Sequence, residues 1–470
     1  MWIYENCNRI SNEEFEIYKT KDEIILVQLK RERIMSTKKL KKSVTFTEAI
    51  AIVIGMIIGS GIFLKPGIVF NNAGSTGMGL LAWVVGGVIS LASALTIAEI
   101  GAAIPKTGGL YVYLEELYGD VWGFLLGWVQ TVISYPASGA ALAIAFTSFA
   151  TFFIPMNSFQ QKLVAAGILI FVITMNIIAT KFGGIIQTVS TIGKLIPVAA
   201  IVIFGLMNGE VHDITFAQSA ATTGMGFGAA ILGTLWAYDG WIGVTNMAGE
   251  LKDPKKDLPR SIVLGVTSVM AIYVLFNIAL ANILPIDKLV VSQSPVSDAA
   301  MLLFGKKGGT FIIAGMMVSV FGALNGYLMT GARVPFAMAE RKQLPFHKVL
   351  GKAHPKFKTP GNALIFEGAL AVLYILSGSF NTLTDLLVFV LWIFFVMGVI
   401  GIFILRKRVP AEQRPYKVPL YPITPLVGIF GGAYILVSTI MSSPVNSLIG
   451  IGITLLGLPV FYYLKKSQTN

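Results

Sequence analysis

Ile57-Ile58-Gly59-Ser60-Gly61-Ile62-Phe63 lies in the middle of an apolar stretch, about 46 to 70, that is long enough to cross a bilayer. Two glycines around a serine weaken a helix at a depth where no water can serve the freed N–H and C=O groups. Such a break is tolerable only where it lines a cavity or grips a ligand. The half-helix that follows presents unbonded N–H donors and a positive dipole end, which suits the carboxylate of a small, partly anionic substrate. The same run can also be read as a close-packing site for a neighbouring helix.

A second break favours the first reading, because interrupted helices in matching positions of two halves mark inverted-repeat transporters. Residues 226–250, GFGAAILGTLWAYDGWIGVTNMAGE, put Trp236, Ala237, Tyr238, Asp239 and Gly240 at mid-depth, where an acid and a glycine are both out of place in lipid. A lone aspartate there costs about 2.5–3.5 kcal/mol even on the lowest insertion scales. The breaks fall in the first and sixth of twelve apolar runs, at about 46–70, 79–104, 120–150, 163–180, 185–207, 223–248, 261–285, 309–338, 361–379, 383–405, 422–442 and 445–464. The expected fold is an all-α membrane protein of about twelve transmembrane helices, a five-plus-five inverted repeat with helices 1 and 6 unwound, and two further helices at the C-terminal end.

Composition agrees: of 470 residues 55% are hydrophobic and 13% charged, with a mean hydropathy of +0.74, against roughly 25% charged in a soluble domain. The net charge of +12 is not a nucleic-acid face, since the basic residues collect in alternate loops. One set holds Lys38, Lys39, Lys41 and Lys42, then Lys252, Lys255, Lys256 and Arg260, then Arg341 to Lys358, Arg406 to Lys417, and Lys465 and Lys466. The opposite loops at about 208–222, 380–384 and 442–447 have no Lys or Arg. The positive-inside rule makes the basic set cytoplasmic and puts both termini inside, in a multi-pass protein of the plasma membrane whose solvent is the lipid bilayer.

The domain reading is a cytoplasmic tail over 1–44, a transporter domain over 45–466 and a cytoplasmic end over 467–470. Residues 1–34 have mixed charge and no spanning run, and Met35 followed by Ser-Thr-Lys-Lys makes a natural start. The expectation is therefore a mis-called start, which intact-mass detection of residues 1–34 in the native protein would refute. The only cysteine, Cys7, sits in this tail, so no disulfide, metal cluster or cofactor site is expected in the membrane domain. His212, His347 and His354 fall in loops, which leaves no histidine relay at membrane depth. With no HExxH, GxSxG or Walker run there is no catalytic residue to propose, and the intramembrane charges are too few to line a channel.

Several motifs carry a resemblance: VIGMIIGSGIFLKPG (53–67), IPKTGGLYVYLEELYG (104–119), TIGKLIP (191–197), LWAYDGW (235–241), GELKDPKKDLPR (249–260), ARVPFAMAERKQLP (332–345) and RPYKVPLYP (414–422). From about Thr45 to Lys466 the chain resembles the L-type amino acid transporter family of the amino acid/polyamine/organocation superfamily, in particular its bacterial serine/threonine and alanine/serine exchangers. The resemblance implies a LeuT-type fold and sodium-independent exchange of small neutral amino acids such as serine, threonine and alanine.

Residue by residue, the resemblance implies that the substrate carboxylate meets the N–H groups of Ser60, Gly61 and Ile62, beside Gly59. The ammonium would meet the carbonyls of Ile57, Trp236 and Asp239, with Ala237 and Tyr238 in the same segment. Trp236 matches an aromatic gate and Tyr273 a tyrosine that helps close the site. Lys194, about nine residues or 14 Å into the fifth run, matches a lysine that replaces sodium and bridges the first and eighth helices; it is also readable as a tie that merely holds helices together. Asp239 stands where neutral-only relatives often carry Gly, Ser or Ala, so it could hold a cationic side chain, bond Tyr238 or meet a substrate hydroxyl. The family's eukaryotic members are joined to a single-span glycoprotein by a disulfide from the loop between helices three and four. This chain has no cysteine there, so no disulfide-linked heavy chain is expected. A proton-coupled importer, a transporter that accepts cationic amino acids and a non-transporting amino-acid sensor remain as alternatives.

Overall fold

In a bilayer every backbone polar group needs an internal partner, and the apolar runs meet that demand as helices. The computed structural model describes residues 44–106, 108–178, 180–210, 214–246, 248–292, 294–357 and 359–469; side chains are described for these except at 180–189, 250, 468 and 469. Lys38 to Lys42, Cys7, the 1–34 extension and His212 lie outside the described residues. Val44 onward forms one unit. No strand occurs among the described residues, where a single parallel bridge pairs Val44 with Leu251.

Thr45 starts α1 (Phe46–Ile57) with a capping box: its hydroxyl accepts from the Glu48 amide (3.3 Å) and the Glu48 carboxylate accepts from the Thr45 amide (2.7 Å). After the break, α2 (Gly61–Ala73) is bent by 42° from α1. There follow α3 (Thr76–Ala103), the short α4 (Leu110–Tyr118), and α5 (Asp120–Val129), joined through a π turn at Gln130–Ser134 to α6 (Tyr135–Ala150). Next come α7 (Ser158–Ile178), α8 (Thr180–Asn208), α9 (Phe227–Tyr238) and α10 (Gly243–Asn246). The chain continues through α11 (Pro254–Ile283), α12 (Ile286–Val291), α13 (Pro295–Gly331), α14 (Arg333–Glu340) and α15 (His347–Leu350). It ends in α16 (Gly361–Ser377), α17 (Phe380–Arg408), α18 (Ile423–Ser442), α19 (Pro444–Leu455) and α20 (Gly457–Thr469).

Nine spans among the described residues are long and apolar enough to cross a membrane, and the bent α1–α2 pair makes a tenth. The sixth and ninth expected spans fall short of that length: α9 has 12 residues and α16 has 17, about 18 and 26 Å against a hydrocarbon core of about 30 Å. α9 is short because the chain breaks after it; α16 starts and stops at Pro360 and Gly378. The eighth span starts at Lys306, close to the expected start; a short helix from Pro295 precedes it and is set off by a kink at Gly305 (φ 64°, ψ −176°).

α3 packs along α11 and α9, α8 along α13, and α13 along α6, so the broken elements α1–α2 and α9–α10 sit among α3, α8, α11 and α13. The α5–α6 window is 78% buried and the span from Pro444 to Ser467 only 22%, which puts the last span at the periphery. Large apolar side chains such as Phe159, Phe171 and Met441 stand exposed, the pattern of a lipid-facing belt. One end of the bundle gathers charge. Buried Glu99 of α3 takes Arg406 (2.7 Å), Arg414 and the Val418 amide, and Glu115 of α4 takes Arg341 (2.6 Å). Burial pushes the nearby Tyr111 hydroxyl up to about 12, so it stays protonated beside Gln343 and Arg341.

Candidate functional site

α1 ends at Ile58 (φ −73°, ψ 93°), and α2 restarts when the Ser60 carbonyl accepts from the amides of Phe63 (3.1 Å) and Leu64 (3.0 Å). The amides of Gly61 and Ile62 therefore stand in a first turn, where no helical carbonyl precedes them. α9 ends where Asp239 turns extended (φ −68°, ψ 160°) and Gly240 takes a φ of 110°, a value that a side chain resists. The two breaks touch. A Cβ on Gly61 would lie 2.4 Å from the Ala237 Cα, and one on Gly240 would lie 3.0 Å from the Met56 carbonyl carbon. Gly59 faces α13 at Ala323. The close-packing reading and the site reading are thus compatible, since the glycines bring together two frayed helix ends.

Side chains stitch this junction. The Trp236 indole donates to the Ser60 hydroxyl (3.3 Å) and its ring lies 6.3 Å from Tyr327 and 6.1 Å from Phe380. The Tyr273 hydroxyl donates to the Ile57 carbonyl (2.8 Å). Of the carbonyls expected to meet an ammonium, Ile57 thus already holds a donor, and that of Trp236 accepts from the Asp239 amide (3.2 Å). Tyr238 points away, donating to the Trp83 carbonyl (3.0 Å) on α3. Asp239 is bonded not by Tyr238 but by Tyr327 of α13, whose hydroxyl donates to it at 2.8 Å.

Lys194 is deeper than expected, 14 residues after the start of α8 at Thr180, about 21 Å along it. It is fully buried, and its ammonium donates to the carbonyls of Gly55 and Ile58, both at 2.6 Å. These bonds reach α1 alone. α13 meets α8 by packing, with Gly322 against Ser190 and Gly315 against Pro197, rather than through the lysine.

Sequence reasoning missed several neighbours. Beyond Trp236, Phe380 leads to buried Lys65, which bonds Asp385 (3.0 Å) and Asn381 (3.1 Å) of α17 and lies 5.4 Å from the Phe380 ring centre. On the other side, the Asn246 amide at the end of α10 donates to the Tyr135 hydroxyl (2.6 Å), and the Gly108 amide donates to the Asn246 carbonyl (3.3 Å). A lysine and an aspartate in apolar surroundings were the available signals for the first cluster. No metal-holding group of His, Cys, Asp or Glu occurs among the described residues.

Two helix breaks in contact, the first held by a buried lysine and the pair flanked on both sides by polar contacts, are the anatomy of a solute carrier. A model of the amino acid permease family matches residues 44–461, and the chain belongs to that family. It is a multi-pass membrane transporter and not an enzyme. Its relatives include the serine/threonine exchanger SteT of Bacillus subtilis (strain 168), 47% identical over 92% of this chain and 98% of that protein. The b(0,+)-type amino acid transporter 1 of Mus musculus is 31% identical over 92% and 89% of the two chains. The large neutral amino acids transporter small subunit 2 of Homo sapiens is 33% identical over 90% and 80%.

Proposed function

We propose that this chain is a sodium-independent antiporter that exchanges small neutral L-amino acids of the serine, threonine and alanine class across the plasma membrane by alternating access, with both termini cytoplasmic. The observation that carries this reading is the Lys194 ammonium on the Gly55 and Ile58 carbonyls, where the first break begins. Carbonyls freed at a helix break need a donor or a cation, and at Gly55 and Ile58 a tethered ammonium is both, without a sodium ion. The first-turn amides of Gly61 and Ile62 then offer a carboxylate site, and the ammonium of the substrate takes the frayed carbonyl end after α9. Recognition by backbone atoms reads the amino-acid skeleton and leaves the side chain to Trp236, Asp239, Tyr273 and Tyr327.

Exchange follows if the breaks close around a substrate more readily than around none. Lys65–Asp385 then shuts the end beyond Trp236, and Asn246–Tyr135 the other. The serine/threonine exchanger relative supports the substrate class, and the alternate basic loops support the orientation. The chain works without a disulfide-linked heavy chain, since its one cysteine is Cys7.

Sodium-free uptake of labelled serine into proteoliposomes, with and without alanine inside, tests the reading. Uptake only with internal alanine is the expected result. Uptake into empty vesicles that scales with a proton gradient would replace exchange with proton-coupled import, and binding without flux would leave a sensor.

A further inference from the structure

Glu367 lies within α16, outside the site above, and is 1% exposed; among the described residues neither carboxyl oxygen has a hydrogen-bond partner. Glu367 shares a close approach with Tyr135 at Gly331: a Cβ on that glycine would lie 2.6 Å from one Glu367 oxygen and 2.6 Å from the Tyr135 ring. Tyr135 accepts the Asn246 bond that joins α10 to α6, and its ring stands 6.5 Å from that of Tyr327, the partner of Asp239. Glu367 is therefore seated behind the contact that holds the second broken element on this side.

The titratable and charged groups on the elements packed against α16 are Tyr135 on α6, Lys162 on α7, Tyr327, Asp298, Lys306 and Lys307 on α13, Arg333 and Glu340 on α14, and His347 and Lys348 on α15. Lys162 donates to the Leu376 carbonyl near one end of α16, Arg333 to the Met329 carbonyl, and Tyr374 of α16 itself to the Val132 carbonyl. None pairs with Glu367. A buried carboxylate with neither cation nor donors is among the costliest groups in a membrane interior, whereas the protonated acid is neutral.

We propose that Glu367 is a proton-binding site of this transporter, loaded in the present conformation and opened to solution when α10 parts from α6 at Asn246–Tyr135. On opening, the carboxyl O–H bond breaks, the electron pair stays on the carboxylate and the proton passes to water. Return to the packed state requires the proton back, so the transport cycle stalls when Glu367 is ionised.

Infrared spectroscopy of the full chain in lipid reads the site directly and does not depend on the proposed substrates. The protein shows a protonated-carboxyl C=O band at neutral pH that Glu367→Gln removes and Asp239→Asn does not. In sodium-free serine/alanine exchange, the rate falls with rising pH, by up to about tenfold per unit once the carboxyl ionises; Glu367→Gln, which imitates the protonated acid, holds the low-pH rate throughout. Should the glutamine variant not fold, Glu367→Leu serves in both assays with the same expectations. A band unchanged in the variant, a pH profile identical to that of the unsubstituted chain, or a folded Glu367→Gln that is inactive at every pH would overturn the proposal. Absence of any serine exchange in the unsubstituted chain would instead overturn the proposed function, with the infrared result still deciding Glu367.

Discussion

The Tyr327 hydroxyl on α13 donates to the carboxylate of Asp239, 2.8 Å away, across 88 residues of sequence and between two buried side chains. In the proposed site this bond occupies the acid and so disfavours a cationic substrate side chain. Tyr327→Phe leaves the carboxylate short of a donor, at about 1–3 kcal/mol. The expected outcome is a lower thermal midpoint together with new competition by lysine and arginine for serine uptake, and Asp239→Asn in the same background abolishes that competition.

Removing the Lys194 ammonium strands the Gly55 and Ile58 carbonyls, at about 1–3 kcal/mol each. Lys194→Ala is expected to lose exchange by more than about tenfold in rate, beyond any loss of folded protein, because the break itself loses its geometry. Flux normalised to the monodisperse fraction in size-exclusion chromatography checks this. A loss of flux matched by an equal loss of folded protein would make Lys194 only a helix tie.

Gly61→Ala drives a methyl group into the Ala237 backbone, which has no side chain to swing away. A cost of about 1–3 kcal/mol or more follows from overpacking. The breaks must separate to admit that methyl, so serine binding weakens along with stability. Thermal unfolding with and without serine reads both effects, and a variant with unchanged serine stabilisation would contradict the contact.

Lys65 and Asp385 pair beyond Trp236 and Phe380, and in the proposed cycle this pair shuts that end. Asp385→Asn keeps the shape and removes the charge that holds Lys65. With Cys7→Ser and Ser60→Cys as background, a membrane-impermeant thiol reagent is expected to label position 60 several-fold faster once the pair is broken. Equal labelling rates would show that the pair does not guard this route.

The two breaks were legible because glycine and an acid at mid-span contradict everything else in those runs, and Lys194 for the same reason. Their partners were not. Tyr327 and Phe380 sit among the many aromatic residues of membrane helices, which mostly pack. Lys65 meets Asp385 across 320 residues, a pairing that no local pattern carries. Glu367 was overlooked since the surrounding run, GNALIFEGALAVLYIL, is apolar enough to read as an ordinary span. The short helix ahead of the eighth span was not legible for a backbone reason: hydropathy marks where apolar residues stop, while Gly305 kinks the chain between two helices.

The π turn at Gln130–Ser134 is in effect one surplus residue in an otherwise α-helical rod. At about 100° of rotation per residue, it sets the azimuth of everything after it relative to α5. Losing a single codon there would restore a regular helix with Tyr135 still turned toward Asn246, whereas straightening the turn at full length would swing Tyr135 away from Asn246 and the Glu367 side of the bundle. The bulge is the means by which one added residue is carried without re-aiming the side chains beyond it.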